Sequence, residues 1–394
     1  MRSADLFLWG GGISIFFVNL LAFIRGLLMK IRVHGLIGFV VLSVAASCSS
    51  KMDGDVRLEE ICFAPEYTAE VKGYPFSSKE PFPDFGVFAA LGRSGDGALY
   101  ANDTNLSVFM DNVEVEAVGN TWASVTKYYW PMHDDKDISF FAYAPYISSG
   151  AGIDFSVDWL DENSSGEAGK TNKVYLTYTP PVSVVNQKDL LVAESLDKYR
   201  EVVSLDFKHV LTWVSFVAKY QGSMEGKVPD NTYIRVDELE LRGVLGTRTL
   251  EIDAEGYQWI DTPSVSAEEL TTSYKLSSYA LDDEKISNTE YTDFVGRDGA
   301  LFLLPQEIAS GTMVLGVTFS FVYEGESIAQ FYTEKPIPAG SWPLGRKVVY
   351  TMILDITTAS LVDVEGSDEG WVESWGDSGN DYPGKDENTG VVIK

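Results

Sequence analysis

Two cysteines and three histidines among 394 residues leave little raw material for zinc sites, disulfide scaffolds or imidazole-based acid/base chemistry. Basic residues are scarce as well. The 30 Lys plus Arg stand against 58 Asp plus Glu, a formal net charge of −28, so a phosphate backbone is repelled and nucleic-acid partners are excluded. No G-x-S-x-G, H-E-x-x-H, Walker or Gly-rich dinucleotide signature is present, and no repeat period is visible. These absences disfavour an enzyme. The expectation is no catalytic residue, no cofactor and no metal.

What is present is globular composition: 45% hydrophobic, 13% aromatic and 22% charged residues, with 35 Gly and 15 Pro. The length suggests two domains, each able to bury its own core. Near the N-terminus, Met29-Lys30-Ile31-Arg32 precedes the apolar run Leu36–Leu42, and small residues lead to Cys48. A positive segment, a short apolar segment and small residues before a cut are the parts of a secretory signal. Ala45-Ala46-Ser47-Cys48 resembles a bacterial lipobox, which places signal cleavage between Ser47 and Cys48 and acyl chains on Cys48, holding the body at a membrane surface. Upstream, Leu6–Ile24 is apolar apart from Asn19. Either translation starts at Met29, or this stretch is a membrane-spanning helix followed by a second apolar run. Residues 1–47 carry four basic side chains and one acid, so the exported body is more acidic still and soluble. Cys62 alternates with Ile61 and Phe63 and reads as a buried, inert thiol, with no disulfide if Cys48 is lipidated.

Past residue 55 short β-branched and aromatic runs are separated by Gly, Pro, Asn and Asp, which is an all-β pattern. Strands are expected near Val56–Phe63, Phe85–Leu91, Val113–Val118, Thr121–Tyr129, Ile138–Ala144, Val174–Tyr178 and Asp189–Ala193. A second set falls near Val203–Phe207, Thr212–Tyr220, Tyr233–Arg242, Arg248–Ile252, Ser273–Ser277, Leu301–Leu304, Met313–Tyr323, Ile328–Thr333 and Lys347–Ile356. Each set fits one sandwich. Glu194–Glu201 is charged and strand-poor and marks the boundary, giving domains 48–195 and 196–394 after the signal region 1–47; Pro180-Pro181 is the alternative. Asn163–Asn172 and Gly376–Thr389 read as solvated loops or tails.

Candidate chemistry is thin. His133-Asp134-Asp135-Lys136-Asp137 carries metal-donor types but lacks the spacing of a calcium loop, and reads as an acidic turn. His209, at the edge of an apolar run, reads as a hydrogen-bonded, half-buried residue rather than a base. A pair of carboxylates could hydrolyse glycosides, and exposed Trp or Tyr could stack on sugars, but core packing is the default use of these residues.

Several phrases together resemble the fimbrillin-like adhesin lipoproteins of Gram-negative gut and oral anaerobes. They are Tyr128-Tyr129-Trp130-Pro131, Ile138–Tyr146, Gln187–Ala193, Leu205–Leu211, Leu303-Leu304-Pro305-Gln306, Trp342-Pro343-Leu344-Gly345, Val349-Tyr350 and Trp375-Gly376-Asp377. Their shared order over residues 55–378 carries the resemblance. It implies two tandem transthyretin-like Greek-key β-sandwiches in a lipoprotein at the outer membrane, exposed on the surface or within a fimbrium. It further implies proteolytic loss of the first strand and replacement by a strand of the next subunit, usually the C-terminal one. Partners would then be other fimbrial subunits bound by β-strand addition, the membrane through the lipid anchor, and a surface receptor. The family's Thr-Arg cleavage site has no match here. Lys72 and Lys79 are the basic residues that follow the first strand, and Gly390–Lys394 suits a donor strand or a frayed end. The roles left open are stalk, tip, anchor or stand-alone adhesin. A surface glycan-binding lipoprotein serving polysaccharide uptake is the alternative function, and a carboxylate-dependent hydrolase is a third.

Overall fold

The computed structural model describes residues 58–66, 82–93, 107–119, 121–132, 136–148, 155–158, 173–253, 256–262, 271–277, 285–293, 301–369 and 391–392. All of them lie in one compact unit. The fold is all-β; among the described residues the only helical element is a 3₁₀ turn at Val184–Asn186.

In chain order the first ten strands are β1 (Cys62–Glu66), β2 (Phe85–Arg93), β3 (Ser107–Val118), β4 (Thr121–Ser124), β5 (Lys136–Ala144), β6 (Phe155–Asp158), β7 (Val174–Tyr178), β8 (Leu191–Lys198), β9 (Val203–Asp206) and β10 (Lys208–His209). Eight of them make one sheet in the order β10-β8-β5-β2-β3-β4-β1-β9. Its two ends, β9 and β10, are consecutive parts of a single run, Val203–His209, joined only through Phe207. The sheet therefore closes on itself, which removes most of the open edge that strands otherwise present. Inside the closure lie Ile61, Phe63, Phe85, Val87, Phe140, Ala142, Leu191, Val203, Leu205 and Phe207.

β2, β5 and β8 are buried on both faces, which is why Phe140-Phe141-Ala142-Tyr143-Ala144 is an unbroken apolar run rather than an alternating one. Phe140, Ala142 and Ala144 point into the closed sheet, while Phe141 and Tyr143 point into a second core. That second core is covered by a four-stranded sheet in which β6 and β7 join β13 (Arg248–Asp253) and β14 (Gly256–Ile260).

The remaining strands include β11 (Thr212–Gln221), β12 (Tyr233–Leu245), β15 (Thr271–Ser277), β16 (Thr292–Asp293), β17 (Leu301–Leu303), β18 (Gln306–Ile308), β19 (Val314–Tyr323), β20 (Glu326–Pro336), β21 (Gly340–Trp342), β22 (Lys347–Asp355), β23 (Ser360–Glu369) and β24 (Val391–Val392). One sheet runs β16-β11-β22-β23-β24, with β17 also on β11, and the other runs β15-β12-β19-β20. They sandwich a third core built on Phe216, Leu239, Leu241, Leu315, Phe319, Trp342, Tyr350 and Met352. The period-2 alternation of Val314–Phe321 places Leu315, Val317 and Phe319 inward, as the sequence pattern predicts.

The structure differs from the sequence reading at several elements. The expected strand Thr121–Tyr129 ends at Ser124, because Tyr128 and Trp130 leave β4 and bond the chain ahead of β1 (Ile61 N to Tyr128 O 2.9 Å, Trp130 N to Glu59 O 2.9 Å). The segment Glu194–Glu201, expected to be strand-poor, holds the end of β8. Glu194 points toward the second core, and the charges after it sit at half-buried or exposed positions, where a strand tolerates them. β23 is absent from the expected strands, since Asp363, Glu365, Gly366 and Asp368 dilute its buried Leu361 and Val364. Around the expected boundary at residue 195, Val203–His209 pairs with strands of the first half, and β7 pairs with β13 from Arg248↔Tyr178 to Ile252↔Val174.

Gly345 sits at φ +66°, and a Cβ there would lie 3.0 Å from the carbonyl oxygen of His209. Its N–H meanwhile donates to Leu211 O at 3.0 Å. Gly345→Ala is expected to cost about 1–3 kcal/mol of unfolding free energy in urea titration, and an unchanged midpoint would refute this reading of the turn.

Candidate functional site

The first of the described strands occupies an interior position. β1 pairs antiparallel with β4 (Cys62↔Ala123, Phe63↔Trp122) and parallel with β9 from Phe63↔Val203 to Glu66↔Asp206. It is the sole ladder neighbour of β9 in the sheet order. Phe63, 2% exposed, meets Phe85 at 6.0 Å and Phe140 at 5.7 Å, both edge to face. Phe207 and Phe82 close the same aromatic group, with Phe207 at 5.4 Å from Phe85. The local sequence explains the placement. Ile61 and Phe63 supply two large inward residues at the strand period, and Pro65, which has no N–H to give, lies past the two residues paired with β4. Taking β1 away would leave a slot between β4 and β9 with its inner wall apolar and a backbone edge on each side.

A second cluster lies where the chain passes from the closed sheet to the sandwich. Asp189 is fully buried and its Oδ2 accepts a short bond from His209 Nδ1. Burial pushes the Asp189 carboxyl up from its ordinary value, opposed by His209. Gln187 donates to Pro181 O (2.9 Å) and accepts from Phe302 N (2.9 Å). Thr212 Oγ1 donates to Pro343 O (2.7 Å), Trp259 Nε1 to Val210 O (2.6 Å), and Arg248 Nη1 to Pro305 O (2.6 Å). Trp342 Nε1 donates to the Tyr350 hydroxyl (2.8 Å), whose pKa is pushed up to about 12 by burial. The phrases Gln187–Ala193, Leu205–Leu211, Leu303–Gln306 and Trp342–Gly345 thus contribute to one buried polar seam, in which Asp189 Oδ1 and Arg248 Nε are left without a hydrogen-bond partner. His209 is more deeply buried than expected.

The chemistry of a hydrolase finds little purchase. Glu194 points from β8 into the second core, where burial lifts its carboxyl from 4.5 to about 7, partly offset by the Tyr257 hydroxyl 3.4 Å away and by Lys208. Of the described tryptophans, Trp130, Trp213, Trp259 and Trp342 are buried in the cores, and Trp122 packs against Phe82 and Phe85. No cluster of three or more His, Cys, Asp or Glu able to hold a metal ion occurs among the described residues.

Ser47, Cys48, Lys72 and Lys79 lie outside the described residues, as do His133, Asp134 and Asp135. Cys62 is corrected from the expected inert thiol: it is buried and disulfide-bonded. The sequence holds one other cysteine, Cys48.

A family model for fimbrillin-like proteins matches residues 83–375, and the chain belongs to that family. It is 24% identical over 322 residues to the fimbrium subunit Fim1C of Phocaeicola vulgatus, covering 73% of this chain and 82% of that protein. A crystal structure of a fimbrial protein from Bacteroides vulgatus superposes with a TM-score of 0.58 at 20% identity, covering 79% of this chain and 99% of the other, and shares its fold. A cell adhesion protein from Bacteroides uniformis is similar at 17% identity, with a TM-score of 0.46 over 79% of this chain and 98% of that one.

Glu194 makes stability depend on pH. Its carboxyl holds a proton more tightly when folded, so its contribution is complete below its unfolded value of 4.5 and is lost as pH rises through about 7. Glu194→Gln is expected to flatten this limb and to be about 1–2 kcal/mol more stable than the parent at pH 8, allowing for partial exposure. Parallel stability profiles from pH 4 to 8 would contradict it.

Proposed function

We propose that the chain is an exported, lipid-anchored fimbrial subunit of the cell surface, without catalytic activity, that joins its neighbours by strand addition at the slot now filled by β1. The observation that carries this reading is the position of β1, first among the described strands yet interior to a closed sheet. Loss of β1 exposes two unpaired backbone edges and the apolar wall around Phe85, Phe140 and Phe207. That state is stable only when another strand enters, with main-chain hydrogen bonds supplying affinity and alternate side chains supplying register. Cleavage after Lys72 or Lys79 would release β1. The pairing of β24 with β23 spans only Ser367↔Val392 and Asp368↔Val391, which suits an exchangeable C-terminal strand.

The same reading includes acylation of Cys48 after cleavage from Ser47, outer-membrane attachment through that lipid, and two tandem transthyretin-like sandwiches. The changeover between them falls near residue 195 by charge pattern, or just after His209 by strand pairing. The sulfur of Cys48 can carry either a thioether to lipid or a disulfide to Cys62, and intact mass separates the two.

Mass spectrometry of the protein from outer-membrane and sheared-fimbria fractions of its native host tests the proposal. An N-terminus just after Lys72 or Lys79 in heat-resistant ladders is the expected result. A chain that begins at an acylated Cys48 and runs as a monomer would refute strand removal and leave an anchor or stand-alone binding protein. An unacylated Cys48 would refute the lipid anchor.

A further inference from the structure

The slot that β1 fills is shaped for a ring. Backbone bonds hold the chain from Glu59 to Glu66: Trp130 N donates to Glu59 O, Ile61 N to Tyr128 O and Phe207 N to Glu66 O, each at 2.9 Å, with the ladders to β4 and β9 between them. Such bonds are blind to sequence, so selection falls to the side chains that the strand period turns inward, Ile61 and Phe63. The strands around them turn small residues into the same core: Ala89 on β2, Ala142 and Ala144 on β5 and Ala193 on β8, all fully buried. Alanines reach only a short way inward, so the volume is supplied by rings. Phe63, Phe85, Phe140 and Phe207 fill it together with Trp122, and Phe63 meets Phe85 and Phe140 edge to face. An aliphatic side chain in place of Phe63 leaves part of that volume empty and forfeits both ring contacts.

A second selector stands at the rim. Lys127 Nζ lies 2.9 Å from Glu60 Oε2, so an entering strand meets a cation one residue before the Ile61 position. The apolar residues of 376–394 are Tyr382, Pro383, Val391, Val392 and Ile393, and among these only Val391 and Ile393 stand two apart, as an inward pair must. Laid into the slot in the direction of β1, that segment puts Val391 where Ile61 stands, Ile393 where Phe63 stands and Gly390 where Glu60 meets Lys127. In the opposite direction the Phe63 position receives the smaller Val391, and Lys394 falls on Lys127. Neither direction supplies a ring or an acid where the slot is built for one.

We propose that the slot receives a strand of a different subunit, with an aromatic residue two positions after a large aliphatic one and an acid just before that pair, and not residues 390–394 of a second copy. This rests on the strand-addition reading above and names the partner by its chemistry. At this slot the chain joins an unlike neighbour rather than extending a run of its own copies.

Strand exchange in the full chain tests the assignment. A specific protease site placed between Lys72 and Lys79 allows the chain to be cut behind β1, and urea below the unfolding midpoint opens exchange. A fluorescent peptide of residues 58–66 then reports entry into the slot. Unlabelled 58–66 should compete with it on equal terms. A peptide of residues 386–394 should need at least about thirtyfold more, and the same peptide carrying Ile393→Phe should recover about tenfold of that. Equal competition by 386–394 and 58–66 would overturn the proposal, and so would an Ile393→Phe peptide that gains nothing. A labelled 58–66 peptide that never enters the cut chain would refute strand addition itself, and this assignment with it.

Discussion

The run Val203–His209 closes the first sheet, and it does so by leaning on β1. Its first four residues pair only with β1, its last two pair with β8, and Phe207 between them turns inward against Phe82 and Phe85. Without β1 the closing run keeps its pairing at one end and loses it at the other. The aromatic group around Phe63 is then opened to water on one side, at a cost that grows with exposed apolar area at about 25 cal/mol per Å². A strand at the edge of a sheet can be dispensed with more cheaply. Removal of one that is enclosed, as β1 is between β4 and β9, would leave two unpaired backbone edges.

The two halves are not joined by a simple linker. β7 and β13 share a ladder over the second core, and Gln187 reaches from the first half to accept a bond from the Phe302 amide of the second. Buried polar groups of this kind are costly when left unmatched, so they fix a single arrangement of the junction. The Asp189–His209 pair sits within it, which accounts for a histidine and an aspartate in otherwise apolar phrases.

Much of this was legible from the residues. Alternation in Val314–Phe321 and the apolar run Phe140–Ala144 each carried their period plainly, and Val174–Tyr178 has the predicted bounds. β23 was not legible, because a strand facing core on one side and water on the other can carry several acids and still hold its place through Leu361 and Val364. Nor was the closure of the first sheet, since the parallel pairing of β1 with β9 joins residues about 140 apart, and no local pattern encodes that register. The roles of Gln187, Asp189 and His209 were hidden for the same reason: their partners are distant in sequence. The close approach of Tyr332 depends on Gly316, a glycine whose meaning appears only when the ring is seen across it.

The most direct test of the account is complementation of the β1 slot. A chain beginning at Phe82 should melt well below the intact protein and self-associate. A peptide of residues 58–66 should restore a monomer with the intact melting midpoint, and the same peptide carrying Phe63→Ala should bind about 3–5 kcal/mol more weakly. A shortened chain that stays monomeric, melts with the intact protein and ignores the peptide would contradict the claim that β1 is the exchangeable element of this fold.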